Sequence, residues 1–227
     1  MKFQFNYKYK DRESKAYFVW NKYKDILEGK ILDVGADKCY IKKYLCKRNT
    51  SYTGIGLGKD IDININLEKE KIPFDNDSFD CVLCLDVLEH LDNLHDVFDE
   101  ICRVSKKYII ISLPNPYGAL WSYLKKPSTY NQNQNIKFYG LPPEKPEDRH
   151  KWFFSTTEAK RFIEYKCKKN DLTVIQMDIE GGHLPKIVGF RKIIFEHFLG
   201  KYLNLLDNRD LYTGTMWVVL EKKRVIK

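Results

Sequence analysis

The chain has 227 residues, 43% of them hydrophobic, and a formal net charge of +8. That suffices for one domain with a sizeable core, and no apolar run approaches the ~20 residues of a membrane-spanning helix. The opening stretch, "MKFQFNYKYKDRESK", is charged and aromatic and lacks the apolar core of a signal peptide, so a cytoplasmic protein is expected.

Residues 7–28 carry Tyr17, Trp20, Tyr23 or Lys24, and Leu27 near helical spacing, and Gly29 ends that helix. "KILDVGA" is a short apolar strand, "CYIKKYLCKR" a helix with Ile41, Tyr44 and Leu45 on one face, and "SYTGIGL" and "DININLE" are two further strands. "FDCVLCLDV" is almost continuously apolar, as a parallel strand covered on both faces requires. The helix "LHDVFDEICRVS" gathers Leu94, Val97, Phe98, Ile101 and Val104 on one side, and the strand "KYIIISLPN" stops at Pro114.

Residues 114–150 then break the alternation with Pro, Asn, Gln and aromatic residues. The segment is too apolar for a linker and too long for a plain connection, which marks an inserted lid or binding loop. Ser155-Thr-Thr-Glu158 is a capping box that starts a helix. "LTVIQMDIE" is a strand, residues 185–206 read as helical, and "TGTMWVVLEKK" is the last strand. The expected fold is a single α/β domain over 1–227: a doubly wound, mostly parallel, seven-stranded sheet. Ligands of such sheets bind beyond the C-terminal strand ends, here Gly35-Ala36-Asp37, Gly56-Leu57, Leu85-Asp86-Val87 and Pro114-Asn115.

Composition narrows the partners. Of the six cysteines, Cys81 and Cys84 form a C-x-x-C, but on a strand they point to opposite faces and no second pair completes a zinc set. They read as small buried hydrophobes in a reducing compartment. The positive charge is scattered among Asn and Ile, so a small-molecule partner is expected, with no DNA and with RNA disfavoured.

The runs "ILDVGA", "YTGIGL", "NLEKEKIPFDNDSFDCVLCLDVLEHL" and "VSKKYIIISLPN", taken together, resemble the class I S-adenosylmethionine-dependent methyltransferases. The run "IPFDNDSFDCVLCLDVLEHLDN" is similar to their small-molecule branch, and "FYGLPPEKPEDRHKWFFS" to a segment of bacterial members. The resemblance covers residues 28–115 strongly. It implies S-adenosyl-L-methionine as cofactor. The turn after the first strand, with Asp33 and Gly35, would meet its methionine end, Asn66, Leu67 and Glu68 its adenine, and Cys84, Leu85 and Asp86 the methionine moiety. Glycine at 35 also permits close backbone approach.

Two departures stand out. Asp37 and Cys39 replace the family's second and third glycines, with Lys38 beside Asp37 to offset its charge. Gly56 stands where the family places a carboxylate for the ribose hydroxyls, and Asp60 and Asp62 are the nearby substitutes. Losing such an acceptor costs about 1.5–3 kcal/mol unless something replaces it.

Asp86-Val-Leu-Glu89-His90 sets two carboxylates and an imidazole within one turn, and His150 follows in "EDRHKWFF". The pattern resembles the Glu-x-x-Glu-His run of ubiquinone-pathway and small-RNA O-methyltransferases, with Asp86 in place of the first Glu. Two readings stay open: a site for Mg, Mn or another divalent cation on Asp86, Glu89, His90 and His150, or a metal-free pocket in which His90 or His150 acts as general base. The expected activity is O-methylation of a polar, hydroxyl-rich acceptor such as a sugar or nucleotide-sugar. Tyr117, Trp121, Tyr130, Tyr139 and Asn131 to Asn135 of the lid would receive that acceptor, and His183 could touch it. The rivals are a non-catalytic member of the fold and a methyltransferase of RNA termini. A nicotinamide dehydrogenase is disfavoured because the first turn lacks G-x-G-x-x-G.

Overall fold

The structure is a computed structural model. It describes residues 2–4, 9–45, 50–117, 120, 149–181 and 213–223. The strands are β1 (Lys2–Gln4), β2 (Lys30–Val34), β3 (Ser51–Gly56), β4 (Ile63–Asn64), β5 (Phe79–Leu85), β6 (Ser105–Leu113), β7 (Leu172–Gly181) and β8 (Thr213–Lys222). The helices are α1 (Arg12–Tyr23), α2 (Lys42–Leu45), α3 (Leu94–Val104) and α4 (Thr156–Lys169), with a 3₁₀ turn at Leu88–His90. They form one sheet in the order β1-β7-β8-β6-β5-β2-β3-β4.

The seven strands read from the sequence are all present. The addition is β1, a three-residue strand that pairs in parallel with β7 at the sheet edge. Among the described strands, only β8 runs against its neighbours, β6 and β7. The chain leaves β2 for β3 on one side and comes back to β5 on the other. That reversal opens a crevice at the C-terminal ends of β2 and β5.

Burial follows the sequence pattern. Cys81, Val82, Leu83 and Cys84 of β5 are fully buried. Cys81 joins the core under α1 and Cys84 the core under α3 and α4, so this pair faces opposite ways. Ser155 caps α4 as expected: its Oγ accepts from the Glu158 N–H at 3.1 Å, while the Glu158 carboxylate accepts from the Ser155 N–H at 2.8 Å.

Helix α1 departs from expectation. It starts at Arg12, because the Asp11 side chain accepts from the Ser14 N–H at 2.7 Å and fixes the N-cap. Its buried face is Ala16, Val19 and Tyr23, continued by Leu27. Tyr17 is half exposed, and Tyr17 and Trp20 pack with Tyr44, with Trp20 and Tyr44 partly buried at the edge of the core. Aromatic side chains satisfied by one another let the smaller Ala16 and Val19 approach the sheet. The expected lid 114–150 lies outside the described residues except for 114–117, 120, 149 and 150, and so does the helix expected over 185–206. Among the described residues no helix is long and apolar enough to cross a membrane.

Candidate active site

A cleft of about 390 Å³ opens at the crevice, within the size range of small-molecule sites. Its floor is the turn after β2. Gly35 there has φ +75°, and a Cβ on it would lie 2.3 Å from a methyl of Val87, so both backbone and space exclude a side chain. The N–H groups of Gly35 and Ala36 both donate to the Ile55 carbonyl, at 2.8 and 3.0 Å, and lock the turn onto β3. Cys39 keeps a left-handed φ of 50°. The turn therefore retains a glycine-like backbone at the position of the third glycine without the glycine. Asp33 reaches the cleft from β2, and the Tyr52 hydroxyl donates to it at 2.8 Å. Burial pushes the Asp33 carboxyl up to about 6, with the Tyr52 bond opposing part of that rise.

The charge partner of Asp37 is Arg12 of α1, not Lys38, which is exposed. Gly56 presents no side chain to the site. A Cβ there would sit 3.3 Å from the Gly35 Cα and 3.4 Å from the Ala36 carbonyl oxygen, so the packing of the two turns favours glycine. Neither nearby acid reaches the cleft. Asp62 accepts from the Gly54 N–H at 2.8 Å and pairs with Lys42 at 2.5 Å, which holds its carboxyl below the ordinary range. Asp60 is exposed. Asn66, Leu67 and Glu68 also lie off this cleft: Leu67 is buried, and the Glu68 carboxylate accepts from the Asp92 N–H at 3.0 Å. Cys84 is sealed in the core, while Leu85 and Asp86 line the cleft.

The far wall is built by the 3₁₀ turn and the segment before α4. The Lys151 N–H donates to the Glu89 carbonyl at 2.8 Å, and the Trp152 indole N–H donates to the Leu91 carbonyl at 2.7 Å. The Lys151 ammonium also bonds Asp92 at 2.6 Å and pairs with Glu68. These bonds deliver His150 to His90, with ring centroids 4.4 Å apart at an interplanar angle of 73°. His90 Nε2 lies 3.7 Å from Glu89 Oε1, and Glu89 is only 1% exposed. One ligand atom from each of Glu89, His90 and His150 lies within 4.8 Å of the others.

Asp86 is outside that group. Its backbone takes a left-handed φ of 54°, and its carboxylate turns to Lys15 of α1 and to the Ser112 hydroxyl, which donates at 2.6 Å. Burial alone would raise its carboxyl; Lys15 foremost, then Ser112 and His150, outweigh this and hold it below the ordinary value. The four-ligand set read from the sequence thus reduces to three side chains brought together, because a lysine claims the fourth.

Arg12 and Lys15 are the functional candidates that the sequence reading did not single out. The spacing of Arg12, Lys15, Ala16 and Val19, all of which line the cleft, is one helical face, and that was the available signal. A second cavity of about 140 Å³ adjoins at Glu89, with walls from Leu88, Leu94, Trp152 and Phe162.

Residues 32–111 match the family model of a methyltransferase domain. This stretch is similar to a methyltransferase domain. The match spans the turn after β2, all of β5 and the Glu89-His90 pair. The fold has solved structural relatives. A SAM-dependent methyltransferase from Archaeoglobus fulgidus is 17% identical with a TM-score of 0.57, covering 94% of this chain and 95% of its own. Magnesium protoporphyrin IX methyltransferase from Synechocystis PCC 6803, solved with bound SAH, is 12% identical with a TM-score of 0.54, covering 93% of this chain and 83% of its own. The cyclase SpnF is 11% identical with a TM-score of 0.52, covering 92% of this chain and 80% of its own. Identities this low show the Rossmann-like methyltransferase fold, and a cyclase on that fold shows that the chemistry must be argued from the site. No curated protein sequence matches the chain.

Proposed function

We propose that this protein transfers the methyl group of S-adenosyl-L-methionine to a hydroxyl of a polar small molecule, a sugar or nucleotide-sugar. The observation that carries this reading is that one cleft holds both the turn after β2 and the Glu89–His90–His150 group. The cofactor fits the first half of it, because Asp37 and Asp86 with Arg12 and Lys15 offer both charge signs to a zwitterionic amino-acid end. When bound, the sulfonium supplies an activated methyl group.

What the chain must add is alignment of the acceptor and removal of its proton. His90 and His150 stand at the cleft as candidate bases, and buried Glu89 lies 3.7 Å from His90 Nε2, in position to orient that ring. The same three side chains would hold a divalent cation. One carboxylate with two imidazoles suits manganese or another transition ion better than magnesium, which prefers oxygen ligands. Such an ion would lower the acceptor's pKa.

For the acceptor, Trp152 and Phe153, two and three residues after His150, are 38% and 45% exposed, and Tyr117 packs on Phe153 at 4.7 Å. Trp152 lines the cavity that meets the cleft at Glu89, and exposed rings there suit a sugar, whose C–H face stacks and whose hydroxyls hydrogen-bond. The remaining lid residues proposed for this contact, Trp121, Tyr130, Tyr139 and Asn131 to Asn135, lie outside the described residues, as does His183.

The test is transfer of isotope-labelled methyl from the cofactor to a panel of sugars, nucleotide-sugars, catechols and short RNAs, with and without manganese. Label on a sugar hydroxyl supports the proposal. Label on RNA alone transfers the reading to nucleic acid, and no cofactor binding at millimolar concentration sinks the enzyme.

A further inference from the structure

The segment that delivers His150 also helps to build the second cavity, of about 140 Å³. Leu88 of the 3₁₀ turn, Leu94 at the start of α3 and Leu113 at the end of β6 line it, and all three are buried. Phe154 before α4 and Ala159 and Phe162 on α4 line it as well. Ala159 makes the room. It is the smallest side chain on the buried face of α4, where Ile163 and Cys167 follow it.

The polar groups around this space are engaged or peripheral. The Glu158 carboxylate accepts from the Ser155 N–H and hydroxyl, each at 2.8 Å, and the Trp152 indole N–H donates to the Leu91 carbonyl at 2.7 Å. His95 is exposed and packs edge-on against Phe162, with centroids 5.3 Å apart, which puts it at the rim. Glu89, 1% exposed, lines both the cavity and the cleft. The chain also passes from cavity to cleft between Leu113 and Pro114, and between Trp152 and His150. The two spaces are thus neighbours along the same strand end. An apolar cavity of about 150 Å³ lined by Leu, Ile and Phe stays dry and admits a benzene-sized guest. This one has that size and a similar lining, whereas a charged group would lose its water against a mostly apolar wall.

We propose that the cavity is an acceptor subsite for an uncharged apolar substituent the size of a six-membered ring. The hydroxyl to be methylated then lies across Glu89, at His90 and His150. The inference rests on the methyl-transfer reading above and deepens it: the acceptor is a glycoside with an apolar aglycone, its sugar against the exposed Trp152 ring. Glu89 and Glu158 on the wall disfavour the diphosphate of a nucleotide-sugar there.

The experiment titrates the full chain, labelled at its leucine methyls, with benzyl alcohol as the ring-bearing probe and with glycerol as the polar control. Benzyl alcohol should shift the Leu88, Leu94 and Leu113 methyls and saturate in about the millimolar range, and glycerol should not. Ala159→Leu fills the cavity and should weaken benzyl alcohol by about tenfold or more, with S-adenosylhomocysteine affinity and the denaturation midpoint retained. Leu94→Phe fills it from α3 and replaces that variant if the midpoint falls. In methyl transfer, phenyl glycosides should show a KM about tenfold below that of methyl glycosides of the same sugar, and Ala159→Leu should erase the difference. No leucine shift at tens of millimolar, or undiminished binding in both filled variants, overturns the subsite alone. Equal KM for the two glycosides overturns its role in acceptor choice. Binding of benzyl alcohol without any binding of S-adenosylhomocysteine overturns the methyl-transfer reading and the acceptor role with it, but not the apolar site.

Discussion

The Lys151 N–H and the Glu89 carbonyl form a 2.8 Å backbone hydrogen bond between segments far apart in sequence. That bond sets His150 on His90 and gives the cleft its second imidazole. Replacing His150 or His90 by Ala, or Glu89 by Gln, should lower turnover about 10²–10⁴-fold, the usual scale of general acid–base catalysis. Cofactor affinity by calorimetry should stay within about threefold, because in the proposed reading these side chains serve the acceptor. Full turnover in all three variants removes the group from the chemistry.

If the same group holds a divalent ion, exhaustive chelation should depress turnover and manganese should restore it. His150→Ala should then weaken manganese binding by at least about tenfold in a paramagnetic titration, since even partners outside the ligand set are worth that much. Undiminished turnover after chelation leaves the two histidines as the bases on their own.

Asp33 makes the site pH-sensitive. Burial raises its carboxyl to about 6 in the folded protein, above its ordinary value, so the fold binds the extra proton between those limits. Its contribution to stability therefore falls as pH rises from about 4 to about 6. Cofactor binding has the opposite sign: an ionised Asp33 adds its charge to the acids that would face the cofactor's ammonium in the proposed reading, so affinity should fall as pH drops below about 6. Asp33→Asn should flatten both profiles, as followed by chemical denaturation and by titration between pH 5 and 8.

Gly35→Ala tests the floor of the cleft. A left-handed backbone costs an L residue about 1–2 kcal/mol, and the new methyl would meet Val87 at 2.3 Å. The denaturation midpoint should drop accordingly, and adding Val87→Ala should recover the steric share but not the backbone share. An unchanged midpoint would show that the turn can rearrange.

Much of the frame was legible because its signals are local. The apolar run of β5, the Ser155–Glu158 box and the Gly35 turn each act over a few residues, and each appears where the sequence places it. On α1 the helical spacing finds Tyr23 and Leu27, which are buried, but it also selects Tyr17, which is half exposed, and passes over Ala16 and Val19. Tyr17 and Trp20 are the larger apolar side chains, yet they stack with Tyr44 of α2 at the edge of the core.

The sequence by itself determined a parallel sheet, a turn that must contain Gly35, and a chain of acids and histidines in reach of its strand ends. Only the tertiary structure decided which of them meet. Lys15 draws Asp86 out of the metal-type group, Lys151 ties His150 into it, and Arg12 rather than Lys38 answers Asp37. Such choices depend on sheet register and on where α1 and the segment before α4 cross the strand ends. Periodicity and capping fix an element's own conformation, but the distance between two charges on different elements is set by packing, and electrostatic pairing is decided by that distance.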